Sequence, residues 1–236
     1  MNVYQILPRV YDVGPGQRVE VFVSFCTIKC NFCFNRLLWD KNQGHPFSEE
    51  DKNKIFEYLS DPMTEGITLV GGEPFMLVNQ QPLYELCKEI REKFPNKDIW
   101  AYSGFEWETL KITNLAKILD AIVCGPYIQE YNDGKSIFKG SENQYIIDTK
   151  KSLAQNKRVY WLDFEGNPMG PGKYKPLEIK SDTELLNELI KAIKSNKATI
   201  GKDSSDYGKG LTAAYSNVLD YYEHLLKIKQ MAAKSK

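Results

Sequence analysis

Cys26, Cys30 and Cys33 stand in the run Cys26-Thr27-Ile28-Lys29-Cys30-Asn31-Phe32-Cys33, and the other two of the five cysteines, Cys87 and Cys124, lie far along the chain. A cubane iron–sulfur cluster has four irons and normally takes four thiolates, so a set of three leaves one iron open to a ligand that is not protein. An open iron suggests chemistry rather than structure. The same spacing also fits three buried cysteines on one helix face, or a closed Cys3His zinc site completed by His45.

The elements that must position these residues alternate between strand-like and helix-like segments. Val19 to Phe25 is β-branched and aromatic and runs directly into the cysteine loop. A helix starts at Ser48 as N-cap, carries Ile55, Phe56 and Leu59 on its apolar face, and stops at Asp61-Pro62. The short apolar strand Gly66 to Val70 ends in Gly71-Gly72-Glu73-Pro74. Leu83, Leu86, Cys87, Ile90 and Phe94 recur at helical spacing, followed by the strand Asp98 to Tyr102 and the turn Ser103-Gly104. A further helix over 107–119 leads to the strand Asp120 to Cys124 and to Gly125-Pro126. Repeated β-loop-α units imply a parallel sheet with crossover helices. The cysteine loop and the three glycine-bearing turns each follow a strand, and ligands of such sheets bind at the carboxyl ends of strands. The four segments are therefore expected to converge on one pocket.

Beyond about residue 155 the character changes. Arg158 to Phe164 reads as one more strand or a loop, and Glu165 to Pro176 is rich in glycine and proline. Ser181-Asp182-Thr183-Glu184 is a capping box for a helix with Leu185, Leu186, Leu189, Ile190 and Ile193 on its apolar face, and a second helix is expected over 211–229. The expected organisation is a core of residues 1–155 and a C-terminal extension, 156–236.

The bulk properties narrow the class. The 236 residues are enough for one sizeable α/β domain. Lys+Arg and Asp+Glu are equal at 31 each, so no general basic surface argues for nucleic acid. The start of the chain lacks a signal-like pattern and no long apolar run is present, which points to a cytoplasmic protein with no membrane partner. An odd cysteine count with three clustered fits a reducing compartment. Cys87 reads as a core residue; Cys124 as packing or a pocket thiol; His45 and His224 as surface or packing residues. Arg18, in Gly14-Pro15-Gly16-Gln17-Arg18, could meet an anionic group.

At the cysteines, with Phe32 before the last, and at Gly71-Gly72-Glu73-Pro74, the sequence resembles the radical S-adenosylmethionine enzymes. Within that class it is similar to the activating enzymes of anaerobic ribonucleoside-triphosphate reductase. The similar stretches are Gly14 to Arg18, Cys33 to Arg36 with Trp39, Gly44 to Phe47, Asp98 to Trp100, Ser103 to Phe105 and Phe138 to Gln144. They cover residues 1 to about 150.

The resemblance implies a partial, open (β/α) barrel with a C-terminal helical appendage. It implies that Cys26, Cys30 and Cys33 hold three irons of a [4Fe–4S] cluster, with S-adenosylmethionine on the fourth. Reductive cleavage of that cofactor to a 5′-deoxyadenosyl radical would then place a glycyl radical on the reductase's catalytic subunit, with an electron donor such as flavodoxin or ferredoxin. The cofactor-binding residues it implies are Phe32, Cys33 and Phe34 near the adenine, Gly71, Gly72 and Glu73 near the amino group, and Ser103 near the methionine or ribose portion. No side-chain acid or base is implied. An activase of another glycyl-radical enzyme and a non-enzymatic zinc adaptor using His45 are the alternatives.

Overall fold

The computed structural model of the chain describes residues 1–172 and Lys194. The expected helices over 181–193 and 211–229, and His224, lie outside the described residues. In chain order the elements are β1 (Asn2–Val10), β2 (Gln17–Val23), β3 (His45–Pro46), α1 (Glu49–Leu59), β4 (Thr64–Gly71), α2 (Leu77–Lys93), β5 (Asp98–Ser103), α3 (Trp107–Leu110), α4 (Asn114–Ile118), β6 (Ala121–Cys124), β7 (Tyr145–Asp148) and α5 (Thr149–Gln155). The strands form one seven-stranded sheet in the order β3-β1-β2-β4-β5-β6-β7. β2, β4, β5 and β6 are parallel, as the alternating pattern predicts, whereas β1, β3 and β7 add antiparallel edges.

Local chemistry explains most boundaries. Ser48 Oγ accepts the Asp51 N–H at 3.2 Å while the Asp51 carboxylate accepts the Ser48 N–H at 2.9 Å, so two otherwise orphaned donors open α1. α2 begins a turn and a half before its apolar spacing becomes visible, because Leu77 and Val78 are exposed and carry no core signal. The single helix expected over 107–119 is two short ones. Thr113 Oγ1 accepts the Ala116 N–H at 3.1 Å and donates to the Leu110 carbonyl at 2.8 Å, ending one helix and capping the next. β1, β7 and α5 were not expected; α5 is capped by Asp148, whose carboxylate accepts the Lys151 N–H at 2.9 Å.

Register divides the sheet into two unlike faces. Val19, Val21 and Val23 share a face with Ile67, Leu69, Ile99, Ala101, Ile122 and Cys124, all fully buried in the main core with residues of α1, α2 and α4. Each such aliphatic side chain contributes about 1.5–3 kcal/mol by leaving water. The opposite face carries Arg18, Glu20, Thr68, Val70, Trp100 and Tyr102. Here Trp100, Ala121, Val123 and Ile146 form a smaller core with Phe138, Trp161 and Met169. Its cover is irregular chain from the β6–β7 loop and from residues 157–172, which hydrogen-bond to β7 through Trp161 N–H to Ile146 O and Asp148 N–H to Val159 O, both 2.9 Å. Only isolated bridges form there, in place of the strand that Arg158 to Phe164 suggests.

Candidate functional site

The three cysteines lie between β2 and a 3-10 turn at Arg36–Trp39, in irregular chain rather than on a helix face. Phe25, Lys29 and Phe32 all have positive φ, 83°, 52° and 59°, a region that non-glycine residues occupy only when their surroundings hold them there. Phe25 is held by its N–H to the Leu38 carbonyl at 2.8 Å and the Cys26 N–H to the Trp39 carbonyl at 3.4 Å, and the turn at Phe32 is closed by the Cys33 N–H to the Cys30 carbonyl at 3.2 Å.

The turn after β4 is laced to this loop. Gly72 N–H reaches the Val23 carbonyl at 2.7 Å and Glu73 N–H the Phe25 carbonyl at 2.9 Å. A β-carbon on Gly72 would stand 2.6 Å from the Phe25 carbonyl oxygen and 2.8 Å from that of Leu38, and Gly71 has φ of 106°, so both positions need glycine for the protein's own backbone. Asn79, fully buried on α2, donates to the Ser24 carbonyl at 2.9 Å and the Glu73 carbonyl at 3.0 Å.

Glu73 joins a third strand end. Its Oε1 accepts the Phe75 N–H at 3.0 Å and its Oε2 the Gly104 N–H at 2.9 Å. Burial pushes its pKa up to about 7, against the pull of both N–H donors, which favour the carboxylate. Ser103 Oγ accepts the Phe105 N–H at 3.1 Å and so shapes the same turn.

These segments wall a cavity of about 590 Å³, a size that holds a small-molecule ligand. Cys26, Cys30 and Cys33 line it. Gly71, Gly72, Glu73 and Ser103 do so as well. The expected convergence of strand ends is therefore seen. Phe32 and Phe34 flank Cys33 but their rings are mostly exposed and lie off the cavity wall, Phe34 packing on Tyr127 at 5.4 Å between ring centres. Burial raises the pKa of Cys26 and of Cys30, so these thiols favour the protonated form until a metal takes the proton's place.

Other candidates are placed elsewhere. His45 Nε2 lies 3.0 Å from Asp51 Oδ1 beside β3, away from the thiols, and among the described residues no group of three or more His, Cys, Asp or Glu is arranged for a single metal ion. A Cys3His zinc site is thus not assembled. A cubane distributes its thiolates over separate irons and does not require convergence on one point, so three cysteines lining one cavity fit a cluster. Cys87 and Cys124 are fully buried in the main core, the first with its pKa pushed up to about 12 by burial, the second also raised by burial. Arg18 meets an anionic group of the chain itself: it is fully buried, pairs with Asp98 at 2.5 Å and donates to Thr68 Oγ1 and to the Pro15 and Ile67 carbonyls.

The 4Fe-4S single cluster domain family matches residues 13–147. The anaerobic ribonucleoside-triphosphate reductase-activating protein of Enterobacteria phage T4 is 34% identical over 146 residues, 62% of this chain and 93% of its own length. Those of Escherichia coli K12 and Vibrio cholerae are each 33% identical over 150 residues, 62% of this chain and 97% of theirs. The chain belongs to the family of anaerobic ribonucleoside-triphosphate reductase-activating proteins. In this member of the reductase-activating family, the match includes the cysteine loop, the turn after β4 and the cavity lining from Val13 to Gln144, with Tyr11 and Asp12 just outside it. No helix among the described residues is long and apolar enough to cross a membrane.

Several parts of the reductase-activating protein's cavity lie outside the residues that stand out by type in the sequence. Glu20 and Tyr102 line it from β2 and β5, and the β6–β7 loop closes one side. Gln144 fixes that loop, accepting the Gly140 N–H at 2.8 Å and donating to the Gly125 carbonyl at 2.8 Å. The available signal was Arg18 and Glu20 alternating with valines in an otherwise apolar strand.

Proposed function

We propose that the protein activates an anaerobic ribonucleoside-triphosphate reductase by radical S-adenosylmethionine chemistry. In this reading Cys26, Cys30 and Cys33 hold three irons of a [4Fe–4S] cluster, and S-adenosylmethionine occupies the cavity beside it. The four parallel strands are read as the partial (β/α) barrel of that enzyme class. When bound, the reduced cluster and S-adenosylmethionine together supply a 5′-deoxyadenosyl radical that takes a hydrogen atom from a glycine of the reductase's catalytic subunit. The observation that carries the reading is the presence of three cysteines and the Gly71-Gly72-Glu73 turn in the lining of one cavity, in a chain that matches nearly the full length of reductase-activating proteins.

The chain's own residues bind, orient and exclude water. Thiolates of the three cysteines would fix the cluster at the carboxyl ends of β2 and β4. Glu73, with one lone pair on each oxygen already used by a backbone N–H, retains acceptor capacity toward an ammonium group. Ser103 offers a hydroxyl to the methionine or ribose portion. With the Phe32 and Phe34 rings turned outward, contact to adenine at this loop falls to the backbone around Cys33. A flavodoxin- or ferredoxin-like donor would deliver the electron. The protein positions the reacting groups while the cofactor carries the hard chemistry.

The test is anaerobic reconstitution with iron and sulfide, then reduction with S-adenosylmethionine. 5′-Deoxyadenosine should form, and mixing with the reductase should give a glycyl radical signal in electron paramagnetic resonance. Fully loaded protein that yields no 5′-deoxyadenosine defeats the reading, and a signal raised only on a different glycyl-radical enzyme replaces the partner.

A further inference from the structure

Glu20 is the one charged side chain of β2 left without an ion pair. It is 8% exposed and lines the cavity, yet among the described residues no hydrogen bond or ion pair reaches its carboxyl group. Arg18, two residues earlier on the same face, is spent on Asp98 and on neighbouring carbonyls. From β5, the Tyr102 hydroxyl donates instead to the Phe138 carbonyl at 2.7 Å, and from β4 Thr68 Oγ1 donates to the Val13 carbonyl at 3.0 Å. The charge that bears on Glu20 is another carboxylate, exposed Asp12 of the β1–β2 loop, and this repulsion adds to burial in raising its pKa to about 7. Two lysines also line the cavity: Lys139 donates to the Gly170 carbonyl at 3.0 Å and answers electrostatically to Asp133 and Glu142, and exposed Lys135 forms no ion pair with Glu20.

The Glu20 carboxyl oxygens are not sealed from the cavity, so solvent is their partner in the free protein, and a ligand that fills the cavity and displaces that solvent must bring a cation in its place. We infer that Glu20, with Asp12 at the rim, binds a guanidinium or ammonium group of the cavity's ligand. The cation has two sources. One is a basic side chain on an extended segment of the partner polypeptide entering the cavity; the other is the ammonium group of S-adenosylmethionine, which would then meet Glu20 in place of Glu73. The first source rests on the function proposed above, whereas the charge recognition itself does not.

The test uses the full-length protein, anaerobically reconstituted, and its Glu20→Gln and Glu20→Asp variants. Two probes are titrated: S-adenosylmethionine by calorimetry, and glycine-centred octapeptides carrying a single arginine or its neutral isostere citrulline, by fluorescence anisotropy. If the cation comes from the partner, wild type binds an arginine peptide at least tenfold tighter than its citrulline twin, Glu20→Gln abolishes that preference and Glu20→Asp keeps part of it. If the cation belongs to the cofactor, Glu20→Gln instead weakens S-adenosylmethionine by a similar factor. Unchanged cofactor affinity, together with peptides that wild type does not distinguish by charge, overturns the inference. A second readout excludes a merely structural role: without ligand, Glu20→Gln should melt higher than wild type at pH 7.5, and a lower melting temperature counts against a binding function. Failure of the proposed activation would show separately, as loss of 5′-deoxyadenosine formation or of the glycyl radical signal.

Discussion

Glu73 Oε2 accepts the backbone N–H of Gly104 at 2.9 Å, so a residue of the turn after β4 holds the turn after β5. Its other oxygen serves Phe75, and its own N–H reaches the cysteine loop at Phe25. One residue thereby ties three strand ends, the turns after β4 and β5 through its side chain and the end of β2 through its backbone. Glu73→Ala leaves two N–H groups without acceptors and should cost roughly 2–4 kcal/mol in urea or thermal unfolding. Glu73→Gln retains one acceptor and should lose less. Equal stability of Glu73→Ala and wild type would remove the tie from the account.

Gly72 separates steric need from cofactor need. A methyl group there meets two backbone carbonyls, so Gly72→Ala should displace the cysteine loop, cost about 1–3 kcal/mol and lower the iron and acid-labile sulfide taken up on reconstitution. Gly134→Ala, with nothing within 4 Å of the added methyl group but a φ of 62°, is the control for backbone strain alone: it should cost about 1 kcal/mol and leave cluster content intact. Both variants loading fully would mean that the loop yields more readily than its hydrogen bonds suggest.

Acid–base linkage has a definite sign. Glu20 and Glu73 have folded pKa values raised from 4.5 to about 7, so the native state holds those protons longer than the unfolded chain. Their contribution to stability is complete below 4.5 and is lost as pH rises through 7. Thermal melts of the cluster-free protein should therefore fall between roughly pH 5 and 7.5, by on the order of a few kcal/mol for the pair. The lowered groups Asp51 and Asp120 act in the opposite sense, but only toward more acidic pH, as they protonate. The gap between Glu20→Gln and wild type should widen across the same range; a gap that stays flat with pH excludes Glu20 as its source.

The five cysteines should divide three and two. Cys30→Ala should lose most of the bound iron, whereas Cys124→Ala should keep it and cost about 1–2 kcal/mol for the small core cavity. Iron retained by the first variant, or lost from the second, would reverse the assignment of ligand and packing roles.

Legibility in the sequence followed signal strength. The parallel strands β2, β4, β5 and β6 were readable because each is an apolar run closed by glycine or a polar turn, and α1 because its capping box is explicit. β7 has only four residues and follows a long loop, and β1 is half exposed, so neither carries a pattern that stands out. Thr113 restarts a helix within a stretch whose composition reads as continuous. At the site, the cysteines and Gly71-Gly72-Glu73 announce themselves by type. The rings of Phe32 and Phe34 do not reveal their direction, because positive φ at Phe32 is set by the surrounding loop. Glu20 was hidden by its strand: only register shows that it faces a cavity rather than solvent.

The two faces of the sheet should also differ in tempo. Helices cover one face, so amides of β4 and β5 exchange with solvent only when much of the molecule opens. The β6–β7 loop over the other face is held by a few side-chain contacts from Gln144, Asn143 and Tyr102, and its amides can exchange through local opening. A ligand entering the cavity would then register in hydrogen exchange as slowing of the loop while the sheet stays unchanged, so occupancy could be followed without turnover.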